Sequence, residues 1–176
     1  MIWFLMLANV MMQTVTVVDA TPTVVTMSVA EETVHLTPNT TRRLNFYGTA
    51  SDANGCYQLT ESINGQIKAY RAGVANGFDC TLDQHNCYAV DLSKLTLSGC
   101  DYPGDTTMNY QGQVDLFYYA DATDVGSSYA SDTWIIAGNL FGQSVVDEFE
   151  IASLVAVYYD RVIDYGRVPL GTDSAI

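Results

Sequence analysis

A chain of 176 residues with 48% hydrophobic and only 15% charged side chains carries enough apolar material for one packed domain and excludes a disordered one. Seven basic residues against twenty acidic ones leave a net charge of −13. That balance repels phosphate backbones and anionic lipid, which argues against nucleic acid and membrane surfaces as partners. Basic partners and divalent cations are its electrostatic complements, and solubility through self-repulsion is the plainer use of the charge.

The chain opens with MIWFLMLANVMM, apolar apart from Asn9. Residues 1–20 are too short and too polar at their end for a spanning helix. Val18-Asp19-Ala20 offers small residues where a signal peptidase reads, so 1–20 is expected to be a secretory signal peptide cleaved after Ala20. The positive start of such a peptide is missing, since the first basic residue is Arg42. A pilin-like N-terminal helix is the alternative, but its early acidic residue would come only at Asp19.

From residue 21 to 144 no long helical period appears. Short alternating runs predict strands at 23–29, 33–36, 42–50, 66–71, 94–97, 108–119 and 133–141. Turn residues separate them: Pro38-Asn39, Asp52-Ala53-Asn54-Gly55 and Asp101-Tyr102-Pro103-Gly104. In the longest run Met108, Tyr110, Val114, Leu116 and Tyr118 share one face; Trp134 and Ile136 share one in the next. Tyr118 and Trp134 are therefore expected to anchor the core. Short strands with turn signals about every ten residues predict an all-β antiparallel sandwich for residues 21–144. Residues 145–176 restart the pattern at 147–151, 154–159 and 162–168, as a C-terminal strand pair or the start of a second module.

Cys56, Cys80, Cys87 and Cys100 make an even count in a chain expected to be exported, which predicts two disulfides. Of the three possible pairings, Cys80–Cys87 with Cys56–Cys100 is favoured because the first closes a short loop rich in Asp and Asn. Zinc is disfavoured, as no Cys-x-x-Cys pair occurs.

Taken in order, Thr33 to Pro38, the run FYGTASDANGC at 46–56, AYRAG at 69–73, Cys80 with Asn86-Cys87-Tyr88, YYADATD at 118–124, Ser131-Asp132-Thr133-Trp134 and Ile163-Asp164-Tyr165-Gly166 form a pattern. It resembles immunoglobulin-like domains of exported bacterial surface proteins over roughly residues 24 to 171. Ala122 stands where many such domains have proline in the aromatic-Ala-Asp turn. The resemblance implies an immunoglobulin-like fold, a cell-surface or filament-associated structural role and no catalytic residues.

Asp121, Asp124 and Asp132 lie in one connection, and Asp52 and Asn54 in a turn expected at the same end of the sandwich. Calcium takes six to eight oxygens, so these five are the candidate metal ligands, calcium the possible cofactor, and turn chemistry the ordinary alternative. The loop holding Asp79, Asp83, His85 and Asn86 between two cysteines is a second place for a cation or partner. Glu148 and Glu150 point the same way from one strand and do not straddle a substrate. Neither histidine sits in a metal or nucleophile motif. Tyr102, Tyr119 and Tyr129 are candidates for stacking on a glycan, and Asn39-Thr40-Thr41 matches the N-glycosylation sequon. The expected function is a non-enzymatic, extracellular structural or adhesive module whose partners are other surface proteins or copies of itself. A filament subunit that adds residues 23–29 or 154–159 to a neighbour's sheet is the alternative, and a calcium- or glycan-binding module the next.

Overall fold

The alternation in the sequence becomes strands because period-two patterning buries one side of each run. The structure, a computed structural model, describes residues 24–57, 59 and 65–154. The expected signal peptide and the strand expected at 162–168 lie outside these residues, as does 155–159 of the expected strand 154–159. The strands are β1 (Val24–Val29), β2 (Thr33–His35), β3 (Thr41–Ser51), β4 (Gly65–Arg71), β5 (Cys87–Ala89), β6 (Thr96–Ser98), β7 (Thr107–Phe117), β8 (Trp134–Leu140) and β9 (Gln143–Ala152). One sheet runs β1-β3-β7-β6 and the other β2-β9-β8-β4-β5. Every pairing is antiparallel except β2 with β9.

These are the A-B-E-D and G-F-C orders of an immunoglobulin-like sandwich, with β5 as the extra C′ strand. The first strand is split. β1 pairs with β3, then the chain crosses to the other sheet, and β2 lies parallel to β9. The crossing is pinned by Val29 N, which donates to Asp147 Oδ2 at 2.8 Å.

β3 and β7 pair along their full lengths, from Thr41↔Phe117 to Ser51↔Thr107. Leu44, Phe46, Tyr110, Val114 and Leu116 face Ile67, Trp134, Ile136, Leu140, Phe149 and Ile151 of the second sheet, and all are buried. Met108 is buried with Ala50, Leu59 and the Cys56–Cys100 disulfide. A second apolar cluster lies on the outer face of that sheet. Tyr70 and Ala137 are covered there by Val74, Phe78 and the Cys80–Cys87 disulfide of the loop between β4 and β5.

Several expectations are corrected. The boundary between 144 and 145 falls inside β9, whose seven-residue ladder with β8 makes it integral to the sandwich and no part of an appended module. Residues 92–94 are a 3-10 turn, capped by the Asp91 carboxylate on Ser93 N, so the strand expected at 94–97 is only Thr96–Ser98. β5 was not expected: three residues are too few to show a period. Tyr118 is 36% exposed and outside the core, because β7 ends at Phe117 and the chain turns. Trp134 is fully buried, as expected.

The sandwich has two ends. Residues 36–40, 72–86 and 118–133 form one, and residues 52–57, 99–106 and 141–142 belong to the other. Each end carries one disulfide, Cys80–Cys87 at the first and Cys56–Cys100 at the second.

Candidate functional site

Arg71 closes β4 on its inward-facing side, where Ile67 and Ala69 precede it into the core. A cation there must find partners. The β7–β8 connection supplies them: Arg71 Nε donates to Asp121 Oδ2 at 3.0 Å, and Nη1 donates to Asp132 Oδ2. The Tyr129 ring lies over the guanidinium at 3.8 Å. Gly73 makes room, since a Cβ there would meet Asp132 Oδ2 at 2.4 Å. Arg71 is only 9% exposed. A long loop is thus fastened to the end of the second sheet by one ion cluster.

Further bonds lock the same loop. Trp134, the first residue of β8, donates Nε1–H to Asp121 O at 2.8 Å. In many immunoglobulin-like domains a tyrosine near the start of this strand ties back to upstream backbone; here an indole does so. Thr123, 3% exposed, donates its N–H to Ile151 O at 2.8 Å and accepts Ile151 N–H at its hydroxyl at 3.2 Å. It fills the ladder position beside β9 that lies beyond Trp134, where β8 has not yet begun. The Ser153 hydroxyl donates to Asp124 Oδ1 at 2.5 Å and holds that carboxyl below its ordinary range.

The neighbouring loop is fixed to this one. Asp121 N donates to His85 O at 2.8 Å, and Tyr119 OH donates to Gln84 Oε1. Asp83 exchanges backbone bonds with Cys87 and accepts His85 N at 2.6 Å through Oδ1. Between them opens a cleft of about 590 Å³ lined by Leu82, Asp83, Gln84, His85 and Tyr119.

The five residues expected to share a cation are not brought together. Asp121 and Asp132 meet on Arg71, and Asp124 sits apart on Ser153. Asp52 and Asn54 lie at the opposite end, beyond the β3–β7 ladder, about 30 Å away at ~3.3 Å per residue. There Asp52 Oδ1 accepts Asn54 N in an ordinary turn. Among the described residues no group of three His, Cys, Asp or Glu is arranged to hold a metal ion. The four cysteines pair as Cys56–Cys100 and Cys80–Cys87.

Arg71 was missed by sequence reasoning. Its signal was present: a charge at an inward position of the alternating run Ile67, Ala69, Arg71, in a chain with only seven basic residues.

No protein-family model matches the chain, and no curated protein matches it. Two disulfides are the chemistry of an oxidising, extracellular compartment. Among the described residues no helix is long and apolar enough to cross a membrane.

Proposed function

We propose that this chain is an exported, non-enzymatic immunoglobulin-like module with a structural or adhesive role at a cell surface. The observation that carries the reading is the stapling of both ends of one sandwich, Cys56–Cys100 at one and Cys80–Cys87 at the other. Loops at the ends of a sandwich are where such domains meet partners. Held by disulfides and by the Arg71 cluster, they have little conformational freedom left to lose on contact. Four of the acidic side chains are engaged in holding loops: Asp121 and Asp132 by Arg71, Asp124 by Ser153, Asp52 by Asn54.

The test labels intact cells of the source with a membrane-impermeant reagent and counts thiols in the recovered protein. Surface labelling with no free thiol supports the reading. Protein found only in the cytoplasm with four free thiols sinks it.

Strand addition to a neighbour is less well supported. Residues Val24–Val29, one of the two segments that would be donated, already pair along their length with β3 of the same chain.

A further inference from the structure

The sequon Asn39-Thr40-Thr41 has a place in the fold that the proposed function does not use. Of the nine asparagines, Asn39 alone is followed by any residue other than proline and then Ser or Thr. It lies in the turn that leaves β2 and enters β3. That turn is fixed on both sides. Leu36 is buried before it, and Thr40 O accepts Tyr118 N at 3.2 Å after it. Between those anchors residues 37–39 are exposed, as are Thr40 and Thr41. Asn39 adopts φ +58°, and among the described residues no hydrogen bond engages its carboxamide. Thr41 opens β3 at its free end, so the hydroxyl two residues on is accessible as well.

We infer that Asn39 is a site of N-linked glycosylation. The inference rests on the reading of the chain as exported, because the modification is made on chains entering a secretory compartment. The donor class is a polyprenyl-diphosphate-linked oligosaccharide. Asn39 Nδ2 bonds to C1 of the first sugar while the C1–oxygen bond to the diphosphate breaks. The lipid diphosphate leaves, the amide gives one proton to a base of the transferase, and no oxidation state changes. An oligosaccharide here covers the end built from residues 36–40, 72–86 and 118–133. Tyr57 and Tyr102, both exposed, lie at the opposite end, away from that oligosaccharide.

The experiment secretes the full chain from a eukaryotic host and measures intact mass before and after treatment with an amidase that removes asparagine-linked glycans. The wild type is expected to carry one oligosaccharide that the amidase releases. Asn39→Gln and Thr41→Ala are expected to lose it, and Thr41→Ser to keep it. Thr41→Ala leaves the left-handed residue in place, so it decides the matter if Asn39→Gln fails to fold. Wild-type protein secreted with both disulfides formed but at the bare polypeptide mass overturns the inference and leaves the export reading standing. A glycan that persists in both Asn39→Gln and Thr41→Ala overturns it too. Surface labelling of the source cells, read separately, tests export by itself.

Discussion

Tyr110 shows how single residues set this sandwich. Its ring leaves β7, passes over Gly48 of β3, and its hydroxyl donates to Thr26 O of β1. The Thr26 hydroxyl in turn accepts Thr49 N at 3.1 Å, a bond made by a side chain in place of a carbonyl. Only glycine permits this crossing: a Cβ at position 48 would stand 2.0 Å from Thr26 O and 2.4 Å from the Tyr110 ring. Gly48→Ala should cost roughly 1–3 kcal/mol or more, read as a lower urea midpoint at constant slope. Burial pushes the hydroxyls of Tyr110 and Tyr88 up to about 12. Unfolded tyrosines ionise near pH 10, so between about 10 and 12 the unfolded chain has released protons that the folded chain keeps. Stability is therefore full below that window and falls as pH rises through it. Melting temperature should drop in this range, and Tyr110→Phe should flatten the drop. Arg71 is the other decisive residue. Arg71→Met leaves two partly buried carboxylates facing each other and should cost about 3 kcal/mol. Adding Asp121→Asn and Asp132→Asn to that variant should recover part of the loss, and a triple variant less stable than the single one would refute the clamp.

At the level of elements, the sheet edges are short or guarded. β2, β5 and β6 have three residues each, too little to template a neighbour. β1 is longer, and the Asp147 carboxylate takes the N–H of its last residue. The disulfides differ in what they close. Cys56–Cys100 spans 44 positions and Cys80–Cys87 spans 7. The chain-entropy model gives about 4 and about 2.5 kcal/mol respectively. Replacing each pair by alanine should lower unfolding free energy in that order, as measured by guanidinium titration. The smaller bridge should also have a local signature. It packs with Phe78 and Val74 on the outer face of the second sheet, so its removal frees residues 72–86. Limited proteolysis should then cut this loop while the rest stays folded.

The whole molecule is a sandwich with two stapled ends and a surplus of acid. Divalent cations are natural counter-ions for such a charge, yet the candidate ligands are divided between the ends and already neutralised or bonded. Millimolar calcium is expected to leave the melting temperature unchanged, and a rise that Asp121→Asn abolishes would show a site at the β7–β8 connection. Much of the architecture was legible because burial on one face forces period two. Leu44 and Phe46 in β3, and Met108, Tyr110, Val114 and Leu116 in β7, are inward where the alternation puts them. Tyr118 was misread because alternation continues in letters after the backbone has turned.

The sequence by itself determined the sandwich class, the inward faces of β3 and β7 and the turns at Asn39 and Gly55, since each depends on neighbours in the chain: side-chain alternation, or a residue tolerant of positive φ. Which cysteines meet was favoured by spacing and realised by the fold. Tertiary structure alone decided that Asp121 and Asp132 belong to Arg71, 50 and 61 positions earlier. It also decided that Asp52 belongs to the far end and that β9 is part of the sandwich. Those facts follow from the reversal of direction between β3 and β7 and from the order of strands in each sheet. No local pattern encodes either, because strand order is set by how the two apolar faces close on one another.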